Sequence, residues 1–267
     1  MSGPRVCLLG IPYDEQSSFL RGSAKAPKLI REAWFSPSAN LYSEDGTLVD
    51  RDLIEDMGDL EFNQKEDAFA SIERHVDEIL ARGRPLICLG GDHSITYPVM
   101  RAFSGHKRLS ILQIDAHPDL YDVFEGNRLS HACQFARIME ERLATRLVQV
   151  GVRTLSAPQK SQAERFGVEI HDMASWDDSQ RLDISGPLYL SLDIDALDPA
   201  FAPGISHREP GGLSTRQVIR IIHSLGADLV GADIVEYNPD ADISGMTGMV
   251  CAKLLKEIAS KMTRKRP

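Results

Sequence analysis

Short, continuous apolar runs recur along this chain: RVCLLG (5–10), PLICLG (85–90), LSILQI (109–114), RLVQVG (146–151), PLYLSLDI (187–194) and DLVGADIV (228–235). They do not alternate with polar residues, as half-buried strands would, so they suit strands covered on both faces. Between or after them lie amphipathic stretches of helical spacing: Ala26 to Phe35, Ala68 to Ala81, Ile95 to Phe103, His131 to Ala144, Thr215 to Leu225 and Met249 to Met262. This alternation predicts an α/β architecture around a mainly parallel sheet. With 267 residues, 42% of them hydrophobic, the chain can bury one large core, and a single domain over 1–267 is expected. There is no fixed-period repeat and no low-complexity linker, and the polar, turn-rich stretch from Ser36 to Asp52 reads as a long surface loop.

Ligands of open α/β sheets bind beyond the carboxyl ends of the strands, and the acids of this sequence gather there. PLICLG runs into Gly91-Asp92-His93-Ser94, LSILQI into Asp115-Ala116-His117-Pro118-Asp119, PLYLSL into Asp193-Ile194-Asp195, and DLVGADIV into Glu236-Tyr237-Asn238-Pro239. Residues two apart in extended chain point the same way, so Asp115 with His117, and Asp193 with Asp195, can address one cavity. Crowding unpaired charge against apolar segments is costly, and a bound cation removes the cost. Aspartates with imidazoles suit Mn²⁺ or Mg²⁺ better than the thiolate-rich sets of structural zinc, and four carboxylates balance two divalent ions. Taken singly, each motif has a plainer reading. Asp-x-His can be a turn, and Gly90-Gly91 can be a tight strand-to-helix turn capped by Asp92 or Ser94. A phosphate-cradling loop at LGGDHSIT lacks the expected lysine. Only the coincidence of ligand-type residues at several strand ends singles out the metal.

Composition narrows the partners. Asp and Glu outnumber Lys and Arg by 39 to 30, a net charge of −9 that argues against a nucleic-acid surface and tolerates a cationic ligand. The basic cluster Lys261 to Arg266 reads as the dipole-complementing end of the last helix. No apolar run approaches a membrane span. Cys7, Cys88, Cys133 and Cys251 are far apart, as core residues in a reducing compartment would be. The first strand begins close to Met1, leaving no room for a signal or transit peptide, and a cytoplasmic location is expected.

GGDHS (90–94), DAHPD (115–119) and SLDIDALDPAFAPG (191–204) resemble the three metal-binding motifs of the arginase and agmatinase family, the ureohydrolases. The resemblance runs from the first strand to the last helix. EGNRLSHACQFARIME (125–140), GISHREPGGLS (204–214) and DIVEYNPDAD (233–242) look most like its plant-type arginase branch. The resemblance implies a three-layer α/β/α sandwich, a homo-oligomer (trimer or hexamer) and a binuclear manganese centre with two Mn²⁺ per chain. His93, Asp115, Asp119 and Asp193 would hold one ion, and Asp115, His117, Asp193 and Asp195 the other. Glu236 falls at the guanidinium-binding position, and His131 at that of a histidine proposed as a proton shuttle. The implied reaction is hydrolysis of L-arginine to urea and ornithine. Agmatine, or another guanidino or formimino compound, is the alternative substrate.

A guanidinium is a poor electrophile, so a strong nucleophile is needed at neutral pH, which metal-activated water supplies. The departing amine needs a proton, for which Asp119 or His131 is the candidate donor. Asn127 and Ser130 are candidate contacts for the substrate tail, and turn residues otherwise. After Gly151-Val152-Arg153 comes TLSAPQ, without the acids with which animal-type arginases hold the α-amino group. Three rival classes remain. A Cys133 nucleophile activated by His131 would leave the acid clusters unexplained. A zinc amidohydrolase of deacetylase type would need fewer carboxylates. A non-catalytic relative would be expected to lack some of the metal-type residues.

Overall fold

The computed structural model describes residues 6–63 and 65–264. Arg5, Lys265 and Arg266, which belong to the first run and the basic cluster named above, lie outside the described residues. The strands are β1 (Val6–Ile11), β2 (Ile54–Asp59), β3 (Leu86–Gly90), β4 (Ser110–Ile114), β5 (Arg146–Val150), β6 (Glu169–His171), β7 (Pro187–Asp193) and β8 (Asp228–Val235). All pair in parallel in one sheet of order β2-β1-β3-β8-β7-β4-β5-β6.

Helices cover both faces. On one side α1 (Ala26–Trp34), α6 (Thr215–Ser224) and α7 (Met246–Thr263) set Ile30, Trp34, Val218, Ile222, Leu254 and Ile258 against Leu8, Ile87, Leu112, Leu190 and Ile234. On the other, α2 (Ala68–Leu80), α3 (Thr96–Ala102), α4 (Gln134–Glu140) and α5 (Ala157–Phe166) pack Ile72, Val76, Val99, Phe135, Ile138 and Ala163 onto Cys7, Leu9, Cys88, Ile111, Leu147 and Val235. Neighbouring residues of one strand thus serve opposite layers, which is why the runs carry no polar alternation. Each large side chain fully buried in this way contributes about 1.5–3 kcal/mol.

The runs read from the sequence are β1, β3, β4, β5, β7 and β8. The two strands not read, β2 (IEDMGD) and β6 (EIH), are the edges of the sheet. An edge strand can leave polar residues in solvent, and here they form ion pairs: Asp56 with Arg31 at 2.8 Å, and Glu169 with Arg146 at 2.6 Å. The polar helix α5, with only Gln159 and Ala163 buried, also escaped the apolar pattern. The loop from Ser36 to Asp52 is tied to α7, with Lys256 Nζ donating to Asn40 O at 2.6 Å and Ser260 Oγ to Asp45 Oδ2 at 2.6 Å.

The central strands β3, β8, β7 and β4 are neighbours, and their register aligns their carboxyl ends. Leu89 lies beside Ile234, Val235 beside Asp193, and Leu192 beside Ile114. The residues that follow each strand therefore emerge at one level, on one rim.

Candidate active site

Sharp turns bring the strand-end residues inward. Gly91 has Tyr13 O where a Cβ would stand, 1.9 Å from it, and this close approach lets Asp92 N donate to Tyr13 O at 2.9 Å. Asp119 and Glu236 are non-glycine residues in the left-handed region, with φ of 51° and 63°. Glu236 is held there by its own N–H, which donates to Gly91 O at 2.8 Å. Such backbone is sparsely populated by residues with a side chain and concentrates at functional sites.

The six ligand-type residues converge on this rim. His93 Nδ1 lies 3.1 Å from each of Asp115 Oδ2, Asp119 Oδ2 and Asp193 Oδ2. His117 Nδ1 lies 3.0 Å from Asp195 Oδ2 and 3.6 Å from Asp115 Oδ1. Ligand atoms of His93, Asp115 and Asp193 form one group within metal-binding reach of each other, and those of Asp115, His117 and Asp195 a second. Asp115 belongs to both, and Asp119 joins the first through His93.

The chemistry of these atoms fits cations. His93 Nδ1 is buried and has no hydrogen-bond partner, although three carboxylates surround it. Its other nitrogen explains why: Nε2 faces Ser191 Oγ at 2.9 Å, and that hydroxyl donates to Asp233 Oδ1 at 2.8 Å. The hydroxyl has spent its proton on Asp233, so Nε2 carries a ring hydrogen and Nδ1 is the nitrogen turned to the carboxylates, which outweigh burial and raise the imidazole's pKa well above its usual value; a cation in their midst would take the Nδ1 lone pair instead. Asp233, wholly buried, is fixed by Thr96 Oγ1 and Tyr189 Oη at 2.8 Å each. Burial and the neighbouring Asp195 and Asp115 push the Asp193 carboxyl well above the usual range. Burial and Asp115 likewise raise Asp119. A divalent cation relieves both.

Polar side chains aim the ligands. Gln113 Nε2 donates to Asp115 Oδ2 at 2.6 Å and is itself held by Gln149, while Gln134 Nε2 donates to Asp119 Oδ2 at 2.6 Å. These glutamines, with Ser191 and Asp233, were missed in the sequence. Gln113 and Ser191 are polar residues inside apolar strands, and that was the signal available.

A cavity of about 230 Å³ opens over the cluster, lined in part by Asp119, His131, Asp193, Asp195, His207 and Glu236. Glu236 Oε1 accepts from His93 N and from His131 Nδ1, both at 2.8 Å. Its Oε2 has no protein donor among the described residues, so that oxygen is left for a ligand. At the far side of His131, Ser18 N donates to Nε2 at 3.1 Å. A backbone N–H can only donate, so Nε2 is the acceptor and the ring's proton sits at Nδ1, toward Glu236. Burial depresses the His131 pKa, and Glu236 more than offsets this, raising it to about 9. When the ring takes up its second proton at Nε2, Ser18 Oγ, 2.8 Å away, can accept it. The segment carrying Ser18 is tethered by Asp92, whose Oδ2 accepts from Gln16 N at 2.9 Å.

Asn127 and Ser130, the expected tail contacts, do not line this cavity. The Asn127 amide donates to Gln16 Oε1 at 2.7 Å and its oxygen accepts from Leu129 N, while Ser130 Oγ accepts from Ala132 N at 3.3 Å. Both are occupied as turn residues. The helix read from His131 begins instead at Gln134, because 130–133 form a turn in which Cys133 N donates to Ser130 O at 2.9 Å. Cys133 is wholly buried, and burial together with Asp119 pushes its thiol up to about 11, far from a thiolate nucleophile. Cys133→Ser is expected to keep turnover within roughly a few-fold of the parent, since a core thiol supplies packing. A collapse of turnover in a folded variant would restore the cysteine mechanism.

This fold and site define a metal-site hydrolase of α/β/α architecture. The family model for the arginase family matches residues 4–260. "Arginase 1, mitochondrial" of Arabidopsis thaliana is 46% identical, over 96% of this chain and 81% of the relative. The solved structure of arginase from Medicago truncatula superposes with a TM-score of 0.89 at 42% identity, covering 97% of this chain and 88% of that one. A structure titled as a hypothetical agmatinase from Burkholderia thailandensis matches with a TM-score of 0.84 at 30% identity, covering 97% and 86%. The chain belongs to the arginase family and is a hydrolase of guanidino compounds. One expectation is overturned: the plant relatives are named mitochondrial or chloroplastic/mitochondrial, so the cytoplasmic location does not stand. Cysteine usage, on which it partly rested, suits any reducing compartment equally.

Proposed function

We propose that the chain hydrolyses L-arginine to urea and L-ornithine, with two Mn²⁺ held by His93, Asp115, Asp119 and Asp193 and by Asp115, His117, Asp193 and Asp195. The observation that carries this reading is the position of Glu236, a buried carboxylate with one oxygen open to the cavity beside both ligand groups. When bound, a pair of divalent cations supplies a nucleophile at neutral pH by lowering the pKa of water from about 15.7 to roughly 7.

The protein's own residues do the rest. Glu236 Oε2 accepts the guanidinium N–H groups and fixes the carbon to be attacked, its direction set by the two donors on Oε1. Asp119, aimed by Gln134, and His131 border the same cavity, and either can pass a proton to the departing amine. Of the two, Asp119 is the better placed, because the Ser18 amide occupies His131 Nε2. The organisation of the described strands into one sheet supports a single ureohydrolase domain over 1–267.

One observation favours agmatine as an alternative: among the described residues no Lys or Arg lines the cavity to meet an α-carboxylate. The plant arginases, at 43–46% identity, support L-arginine. Urea release after Mn²⁺ loading, measured on L-arginine, agmatine and guanidinobutyrate with formiminoglutamate alongside, decides. L-Arginine is expected to give the highest kcat/KM, and a preference for any other compound would displace the reading.

A further inference from the structure

His207, from the GISHREPGGLS segment, is absent from the ligand motifs yet stands in the cavity wall. Its imidazole sits between two site histidines and the outer rim. The ring centroid is 5.8 Å from that of His117, 5.5 Å from that of His131, and 5.8 Å from that of the exposed Phe19. It packs among these rings and lines the cavity beside them. Among the described residues neither nitrogen has a hydrogen-bond partner.

The other polar groups around the cavity are largely committed. Ser18 is engaged by His131 and Thr154 Oγ1 donates to Ala116 O at 3.1 Å, while Gln159 Oε1 accepts from Leu120 N at 3.3 Å and leaves its Nε2 as another donor of the wall. A carboxylate entering this acid-lined space must be met by N–H or O–H donors, or it is repelled. An imidazole offers at least one N–H in either protonation state.

We propose that His207 receives the α-carboxylate of L-arginine and so sets the preference for L-arginine over agmatine, which lacks that group. The assignment rests on the L-arginine reading above. It places the tail recognition on the loop after β7, away from Asn127 and Ser130.

The test compares His207→Ala and His207→Asn with the parent, all loaded with Mn²⁺ and checked for metal content. In His207→Ala the ratio of kcat/KM for L-arginine over agmatine is expected to fall by about tenfold or more, the size of a hydrogen bond to a charged group, with the loss in the KM for L-arginine. His207→Asn, which keeps an N–H donor, should recover part of it. Calorimetric titration with the product L-ornithine and with putrescine reads the same contact without turnover, and the L-ornithine affinity should fall relative to that of putrescine. An unchanged ratio overturns the assignment, as does loss of manganese from His207→Ala. So does a shift seen in Tyr121→Phe or Gln159→Glu, which remove other donors of the wall, in place of the His207 variants. A parent that is active on agmatine and inert to L-arginine overturns the substrate reading itself, and this assignment with it.

Discussion

Removing divalent metal from the purified protein is expected to abolish urea release, by at least about two orders of magnitude, and Mn²⁺ is expected to restore it. Without an acidified water the site has no nucleophile for a guanidinium, since the buried cysteine beside it holds its proton up to about pH 11. Elemental analysis of the restored protein should approach two Mn²⁺ per chain. The same titration has a thermodynamic reading. His93 Nδ1 and the carboxylates of Asp115, Asp119 and Asp193 are buried together, and a cation that binds only the folded state stabilises it by mass action. At a hundredfold excess over the dissociation constant this amounts to about 2.7 kcal/mol, so Tm should rise by several degrees on loading. Full activity in protein shown to be metal-free would remove the mechanism, and an unchanged Tm would show that the pocket is not a cation site.

The strand cores and the ligand-type residues were legible because each obeys a local rule. A strand buried on both faces has to be apolar along most of its length, and a parallel sheet has to deliver its ligand-type residues at one end; β3, β4, β7 and β8 do both. What escaped obeys no local rule. β2 and β6 are strands only because β1 and β5 offer them an edge, and their acids are balanced by arginines elsewhere in the chain. The Ser191–Asp233 pair that orients His93 joins two strands through register alone, Ser191 standing opposite Asp233. His207 reaches the cavity from a loop whose path the motif spacing does not fix. Asn127 and Ser130, left open between tail contact and turn residue, do not line the cavity, and their side-chain oxygens accept from Leu129 N and Ala132 N in local turns that spacing alone does not reveal.

Glu236→Gln should lower kcat/KM for the guanidino substrate by roughly tenfold to a hundredfold while leaving bound manganese unchanged. The two oxygens of this carboxylate have separate duties. Oε1 accepts from His93 N and His131 Nδ1, and Oε2 is open. In the variant, an amide oxygen that keeps the place of Oε1 turns its NH₂ toward the guanidinium, where donor meets donor. In the opposite orientation the NH₂ faces the His93 and His131 donors, and the turn that fixes the side chain is disturbed. Either way the variant loses at least one hydrogen bond to a charged partner, about 1.5–3 kcal/mol, which converts to the stated range. Neither of the two ligand groups contains Glu236, so metal retention measured on the same sample separates a substrate contact from a ligand. Loss of manganese would move Glu236 into the coordination shell. Kinetics unchanged on L-arginine and agmatine alike would mean that the guanidinium is held elsewhere, and the residue at the end of β8 would then be no more than the partner that keeps His131 in place.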